Sequence, residues 1–487
     1  MLPKTLKYGS KVESAPARSY RSNIAPQNGS GPYNLGDTVI INIPTRQNLV
    51  MSSADSYLKF QIQQITCSAN GSGFRWDSCG AHGLIQRIRI FHGSNLLEDI
   101  DNYGLLTKML FDIQQPTDSA YGKLNLLAGT RSDLVVSLPT HTACNSVDNV
   151  AANINTAVNG CFSTLDSAKC SASQVNSGDA LRVSGGNASV IANNGVTGVQ
   201  TYCLNLTSLV GSLCSQNYIP LFAMTSSPLR VEIQLVDNLV KAMACLQGYT
   251  LASGIITNVE YIANMIELGD SAMSMVSSSL QGQPLQFVLP SFRNYQYTAS
   301  LANNTSTGIA FPIPAKFSSL KSIYTTVRDN STGASTYFPF SSVTMGITDY
   351  TFRVGSQLMP PRAPNDLTSM FAELMKSIDS LGNINHQPSI EKYSYTLATS
   401  SPNTTASETN QASAISSGSF YVGLDLENYS SAPKDSIFAG YNSNTDDIFW
   451  LPNFTQSTGA AVQTRFDAFA NFDALLVFDN NTAYVKF

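Results

Sequence analysis

The sequence predicts an all-β chain built from two tandem sandwiches, and three observations support this fold class. Segments in which every second residue is apolar recur along the chain, with the two-residue period of half-buried strands. Helical patterns are few and isolated. One order of strand, turn and helix occurs once in each half. Many strands with isolated helices favour sandwiches or barrels over alternating strands and helices.

The clearest strand patterns alternate apolar and polar residues. Within residues 56–63, Leu58, Phe60 and Ile62 lie on one face and polar side chains on the other. Two further patterns, residues 474–478 and 483–487, end the chain and predict a C-terminus held in a sheet. The other strong patterns are residues 39–43, 228–236 and 419–427.

Two segments carry an apolar stripe at helical spacing, residues 101–113 and residues 365–382. In the second, Asn365 or Asp366 is expected to cap the start of the helix, and Gly382 its end. We interpret both stripes as contacts with a sheet and not as partner-binding surfaces.

The order of strand, turn and helix is an internal repeat. Residues 89–113 and residues 352–378 each run from an alternating strand through Gly-Ser, then Asn or Gln, then Leu, to an amphipathic helix. Their glycines, Gly93 and Gly355, lie about half the chain apart. Two copies of one jelly-roll plan explain this order. We therefore predict two tandem eight-stranded jelly rolls with a few short helices.

The predicted domains follow from this repeat and from shifts in composition. Residues 116–226 are rich in Ser, Asn, Ala and Gly and too long for a bare loop, so we predict a large insertion with β-structure of its own. The predicted boundaries are 1–34 for an extended basic N-terminal arm, 35–268 for the first jelly roll, 269–283 for a linker helix and 284–487 for the second jelly roll.

The composition fits a protein whose surface is used in assembly. Hydrophobic residues make up 43% of the 487 residues, and charged residues only 13%, about half the usual share. Ser, Asn, Thr, Gln and Gly replace them, and uncharged polar surface costs little to desolvate when subunits pack. Secreted adhesins and glycan-binding β-proteins share this composition.

The N-terminal arm differs in charge from the rest of the chain. It carries five basic residues against the single acidic Glu13, whereas the net charge of the whole chain is −5. Its prolines and glycines and its lack of hydrophobic periodicity predict an extended segment. A solvated disordered tail and a binding arm both remain open. The basic residues are Lys4, Lys7, Lys11, Arg18 and Arg21.

No secretory signal or membrane span is predicted, so we expect a chain made and folded inside a cell. Such a chain normally keeps its thiols reduced, and no two cysteines form a Cys-x-x-Cys pair. We expect free or buried thiols and no zinc site, with a disulfide within residues 144–214 as the alternative. The cysteines are Cys67, Cys79, Cys144, Cys161, Cys170, Cys203, Cys214 and Cys245.

No catalytic, cofactor-binding or metal-binding residue is predicted, and the chain is not expected to be an enzyme. The histidines are scattered, and we expect His92 to pack within its strand and turn. Glu98, Asp99 and Asp101 suggest a calcium or acid–base site, but capping of the following helix is the favoured interpretation. The histidines are His82, His92, His141 and His386.

Three stretches resemble the double-jelly-roll major capsid proteins, especially those of polinton-like viruses and virophages, a lineage related to adenovirus hexon and large DNA virus capsids. The motifs that carry the resemblance are SADSYLKF and the E-D-I-D-x-Y that precedes the first helix. The resemblance covers the scaffold of both halves but not residues 116–226. The stretches are residues 32–62, 83–106 and 472–487.

This resemblance implies a structural protein of a DNA virus particle. Three copies are expected to form a pseudo-hexameric capsomer that tiles an icosahedral shell, with the insertion in an outward tower. The implied partners are further copies of the chain, neighbouring capsomers, penton proteins, and minor capsid or cement proteins. The basic arm is expected to tie capsomers together, or to contact the genome or a membrane inside the shell.

Two other classes of protein remain as alternatives. The first is a secreted or virion-surface β-sandwich adhesin that binds glycans, although neither an export signal nor a surface anchor is recognised. The second is a hydrolase on a β-scaffold, for which the sequence offers no nucleophile motif or metal cluster.

Overall fold

The fold is taken from a computed structural model. It describes residues 17–67, 74–130, 200–245, 251–280, 283–302, 305–330, 337–383, 385–400, 417–427, 439–455 and 461–487.

The first half is a sandwich with short helices after its sixth strand. Its strands are β1 (Ala17–Ile24), β2 (Thr38–Ile43), β3 (Leu49–Cys67), β4 (Phe74–Trp76), β5 (Ile85–His92), β6 (Asn95–Asp101), β7 (Gln200–Leu204), β8 (Tyr218–Ile219), β9 (Leu229–Leu235), β10 (Met243–Cys245) and β11 (Leu251–Leu268). Its helices are α1 (Tyr103–Gln114), α2 (Thr117–Tyr121) and α3 (Lys123–Ala128).

The second half begins after helix α4 (Asp270–Leu280), which lies between the halves. Its strands are β12 (Leu285–Leu301), β13 (Ser306–Gly308), β14 (Phe311–Ile313), β15 (Leu320–Asp329), β16 (Ile347–Val354), β17 (Gln357–Met359), β18 (Tyr421–Asp425), β19 (Ile448–Thr455), β20 (Val462–Asp479) and β21 (Thr482–Lys486). Its helices are α5 (Leu367–Lys376) and α6 (Lys392–Tyr395).

The two halves share one sheet plan. In the first half the sheets run β1-β11-β3-β7 and β2-β9-β5-β6. In the second they run β12-β20-β15-β18 and β14-β19-β16-β17, and the short strand β13 also pairs with β19. Each of these eight strands of one half therefore has a counterpart at the same place in the other, in the same chain order. Two four-stranded antiparallel sheets with these crossovers make a jelly roll, so the predicted double jelly roll is confirmed.

The core of the first jelly roll lies between its two sheets. Val39 and Ile233 of one sheet line a small interior space together with Leu58 and Ile256 of the other. The predicted alternation in β3 is confirmed, because Leu58, Phe60 and Ile62 are buried while Lys59 and Gln61 between them are half-buried.

The two repeated glycines occupy the same place in the two halves. Gly93 begins the two-residue turn between β5 and β6, and Gly355 begins the turn between β16 and β17. Both have φ of +59°, in the left-handed region that a residue with a Cβ atom adopts only at a cost. Two-residue turns of this kind match the twist of paired strands. The repeat read from the sequence is therefore a repeat of structure.

The prediction of an extended N-terminal arm over residues 1–34 is wrong for residues 17–24. Residues 17–24 form β1, which pairs with β11 over its whole length at the edge of the first sheet. Tyr20 and Ile24 pack against the core. Two apolar side chains in so short a segment were too weak a pattern to predict a strand. Residues 1–16 lie outside the described residues.

Part of the predicted insertion also belongs to the scaffold. Strand β7 pairs with β3, where Tyr202 lies opposite Phe60, and β8 pairs with β3 near Met51. Tyr202 is buried and packs against Phe60 at 5.9 Å between ring centroids. Residues 131–199 lie outside the described residues.

Both predicted helices begin within two residues of the predicted positions. Asp366 caps α5 as predicted, since its carboxylate accepts a hydrogen bond of 2.8 Å from the Ser369 N–H. The predicted end at Gly382 is wrong, because α5 ends at Lys376 and Ser377 occupies the C-cap. In the described part of the chain, no helix is both long enough and apolar enough to cross a membrane.

Candidate functional site at the junction of the two jelly rolls

A buried lysine forms the centre of the junction between the jelly rolls. The side chain of Lys108, on α1, has no exposure to solvent. Its Nζ lies 2.6 Å from Oδ2 of Asp112, one helical turn later, and 3.8 Å from Oδ1 of Asp77. Residues four apart lie on the same helix face, so α1 presents the ion pair to its neighbour.

The partners of this ion pair come from the second jelly roll. Oδ2 of Asp112 accepts a hydrogen bond of 2.8 Å from the Ser419 hydroxyl and one of 2.7 Å from the Tyr421 hydroxyl. Lys108 donates to the Ser419 hydroxyl at 3.3 Å. On the other side, Asp77 accepts from the Phe340 N–H at 3.2 Å. Both halves are needed to satisfy the buried charges.

Burial and the two carboxylates determine the ionisation of the cluster. Burial raises the pKa of Asp77, although Lys108 opposes the shift. Burial also works against a charge on Lys108, but Asp112 and Asp77 outweigh it and raise the pKa of the ammonium. Burial, together with Asp112, raises the pKa of Tyr421. The lysine therefore stays protonated, which suits it for holding the halves together and not for nucleophilic chemistry.

A second polar contact lies at the start of α1. Asn102 adopts a left-handed conformation with φ of 49°, and its amide donates to Asn294 and to Asp467, each at 3.0 Å. Asp467 is fully buried and pairs with Arg328 at 2.5 Å. Asn102 therefore fixes α1 against β12 and β20 of the second half.

The final strand of the chain makes a third contact. The Ala483 N–H donates to Nδ1 of His92 at 3.0 Å, and its carbonyl accepts from the Asn95 amide at 3.0 Å. His92 is buried, and its Nε2 lies 3.2 Å from the Met224 carbonyl. His92 is buried, as its expected packing role requires, but its hydrogen bonds run to other segments and not within its own strand and turn. The hairpin around Gly93 thus docks on the second jelly roll.

The acidic residues before α1 do not cap it. Oε2 of Glu98 accepts from the Leu209 N–H at 2.8 Å, and Asp99 forms an ion pair with Arg87 at 2.6 Å. Asp101 accepts from the neighbouring Asn102 N–H, and α1 has no side-chain cap at its start. The capping prediction is wrong because β6 continues through Asp101, which places these carboxylates on the faces of a strand.

The histidines and cysteines considered as catalytic or metal-binding residues do not come together in one site. Among the described residues, no three His, Cys, Asp or Glu side chains come together as a group able to hold a metal ion. His82 is buried beside the Tyr103 hydroxyl at 3.0 Å, and burial lowers its pKa to about 3. Cys79, Cys203 and Cys214 are free thiols, as predicted. His141, Cys144, Cys161 and Cys170 lie outside the described residues.

Sequence reasoning missed Lys108, Asp112, Ser419 and Tyr421. The available signal was two charged residues, four apart, inside the apolar run of α1. Charged side chains are almost never fully buried unless they are paired, so their position within a buried stripe indicated a partner. The sequence did not indicate which distant segment supplied it.

The whole chain is similar to three solved virus structures. A chain of the PBCV-1 virus capsid matches with a TM-score of 0.55 at 9% identity, covering 99% of each chain. The mavirus major capsid protein matches with a TM-score of 0.55 at 11% identity, covering 100% of this chain and 95% of its own. A chain of the Sputnik virophage matches with a TM-score of 0.53 at 10% identity, covering 100% and 92%.

These matches confirm the resemblance at the level of the fold. Each match extends over both jelly rolls and their order in the chain. No family model matches the sequence, and no curated protein matches it either. The sequence identities are far below the level at which function follows from similarity, so function rests on what the junction and the architecture support.

Proposed function

We propose that this chain is a major capsid protein that assembles as a pseudo-hexameric trimer and tiles an icosahedral virus shell. The observation that carries the proposal is the tandem pair of equivalent jelly rolls, in a chain matched end to end by structures of virus capsids. Three copies of such a chain present six similar wedges around one axis. Closed symmetry then repeats one interface around the ring.

The polar junction supports this proposal. A capsomer needs its two wedges held at a fixed angle, because a ring closes only when every contact has the same geometry. The buried ion pair of Lys108 and Asp112 and the hydrogen bonds of Asn102 and His92 tie the halves at three separate places. Polar groups buried in this way are satisfied in only one arrangement of the two halves.

The proposed partners follow from assembly. They are further copies of the chain, neighbouring capsomers, and penton and minor capsid or cement proteins. For residues 1–16, which carry Lys4, Lys7 and Lys11, we propose a contact with adjacent capsomers, the genome or a membrane inside the shell. The proposed location is the virion capsid, after synthesis in the host cell. The proposed role is structural and not enzymatic.

Light scattering coupled to size-exclusion chromatography tests the trimer. The expected mass is three times 52.4 kDa, and it should resist dilution. A stable monomer would contradict the trimer. Electron microscopy of assembled particles tests the shell, and deletion of residues 1–16 is expected to leave the trimer intact while impairing assembly. The adhesin alternative predicts a specific glycan ligand on an array, and such binding without shells would favour it.

A further inference from the structure

One loop of the first jelly roll is buried without being part of a strand. It comprises residues 205–214, between β7 and β8, and is here called the buried loop. Every residue from 206 to 211 is buried. Loops usually run over the surface of a protein, because a buried loop carries backbone N–H and C=O groups that water does not reach. Other parts of the chain must therefore supply partners for these groups.

Side chains of three neighbouring elements bind the backbone of the buried loop. Oε2 of Glu98, on β6, accepts a hydrogen bond of 2.8 Å from the Leu209 N–H. The hydroxyl of Tyr103, at the start of α1, accepts one of 2.8 Å from the Thr207 N–H. The hydroxyl of Tyr261, on β11, donates one of 2.6 Å to a carbonyl of the loop. The loop is therefore held in place by groups that lie outside it.

Glu98 differs from the two tyrosines because one of its oxygens is left over. The residue is only 3% exposed, and among the described residues no hydrogen-bond partner reaches its Oε1. The titratable groups that face it are Asp99 on its own strand, Tyr103 on α1 and Cys214 in the loop. All three are acids, and Asp99 already pairs with Arg87. Burial accordingly raises the pKa of Glu98 to about 8, so that a proton neutralises it.

The buried loop also lies at the junction between the jelly rolls. It ends in a short 3-10 helix, Ser212–Cys214, which contacts β12, the first strand of the second jelly roll. Strand β6, which carries Glu98, contacts the same strand. Release of the loop would therefore loosen the first jelly roll and its contact with the second at the same time.

We propose that the buried loop is a latch controlled by proton binding, closed while Glu98 is protonated and released when Glu98 ionises. A neutral carboxyl group accepts the Leu209 N–H without burying a charge, whereas an ionised one places a charge beside other acids and away from water. Opening of the loop gives the carboxylate access to water. The latch is tight in mildly acidic solution and weakens toward pH 8. This inference concerns the single chain and does not depend on the proposed shell.

Maleimide labelling of Cys214 measures the opening, because this thiol is buried at the end of the loop. The full chain is labelled between pH 6 and pH 8, and peptide mass spectrometry gives the rate at Cys214 relative to the half-buried Cys203 on β7. The ratio cancels the effect of pH on thiol reactivity. With a pKa of 4.5 in the open loop and about 8 in the closed one, the ratio is expected to rise about 50-fold over this range. In Glu98→Gln it is expected to stay constant.

The matched control is Asp425→Asn in the second jelly roll. The pKa of Asp425 is raised to about 6, with burial as the main cause, so this variant also removes a titrating carboxyl group but leaves the latch intact. It is expected to keep the wild-type rise. A wild-type ratio that does not change with pH, a rise that persists in Glu98→Gln, or a rise that is lost in Asp425→Asn would each overturn the proposal.

Hydrogen exchange at the Leu209 amide of the wild-type chain gives a second measurement, which decides the matter if circular dichroism shows that Glu98→Gln does not fold. Exchange at this amide requires the loop to open, because its N–H is bonded to Glu98. After division by the intrinsic exchange rate at each pH, exchange is expected to rise by the same factor of about 50 between pH 6 and pH 8. A corrected rate that is independent of pH would contradict the latch.

Discussion

Lys108 and Asp112 form an ion pair of 2.6 Å at the junction of the two jelly rolls, and the groups that complete it belong to a segment about three hundred residues later. Taking two charges out of water is costly, so such a pair persists only where further hydrogen bonds satisfy it. Ser419 and Tyr421 supply these bonds from the second jelly roll. The pair thus makes the folding of each half depend on the other.

Lys108→Met tests this dependence. Removal of the ammonium leaves Asp112 and Asp77 buried without a counter-charge, which is expected to lower the free energy of unfolding by about 3–5 kcal/mol. Urea denaturation measures the change. The control is Lys316→Met, which removes an exposed ion pair with Asp447 and is expected to cost less than about 1 kcal/mol. Equal effects at the two sites would contradict the role assigned to the buried pair.

Glu98 predicts that stability falls as the pH rises from the acidic to the neutral range. Burial raises its pKa to about 8, so the folded state keeps the proton while the unfolded chain releases it above about 4.5. Stability is therefore expected to fall as the pH rises from about 4.5 to about 8, by on the order of 5 kcal/mol from this group. In the Glu98→Gln variant this position no longer titrates, so its contribution to the pH dependence is removed. The decline should be smaller in the variant, and identical pH profiles would rule the explanation out.

His82 predicts a separate effect at acidic pH. Its pKa is lowered to about 3 by burial, so below about 6.5 the unfolded chain binds a proton that the folded chain does not. Stability is expected to fall by about 2 kcal/mol from this group between pH 6.5 and pH 5. His82→Gln removes the titration. The measurement is the difference between wild-type and variant unfolding curves across this range, and a constant difference would count against the prediction.

The two turn glycines allow a matched comparison. Gly93→Ala and Gly355→Ala each place a Cβ atom in a left-handed conformation, with an expected cost of about 1–2 kcal/mol. At Gly355 the new atom would also lie 3.0 Å from the Asp446 carboxylate, whereas at Gly93 the nearest atom is the Ser227 hydroxyl oxygen at 3.5 Å. Thermal unfolding is therefore expected to show a larger loss for Gly355→Ala. An equal or reversed order would argue that the Asp446 loop moves freely.

The sequence by itself determined the features that depend on neighbours in the chain. Alternation in β3 follows from a two-residue period, and the turns at Gly93 and Gly355 follow from a local backbone conformation. Both can be read from a few adjacent residues. Their recurrence in the two halves was enough to predict a double jelly roll, because the order of elements is itself a property of the sequence.

Only the tertiary structure decided which segments join a sheet and which charges meet. Strand β1 has weak alternation, and its place depends on pairing with β11 more than two hundred residues away. The carboxylates of Glu98 and Asp99 were assigned to a helix start, but the pairing of β5 with β6 kept them in a strand. The partners of Lys108 lie in the other jelly roll. Such contacts join residues far apart in the chain, and no local pattern specifies both ends.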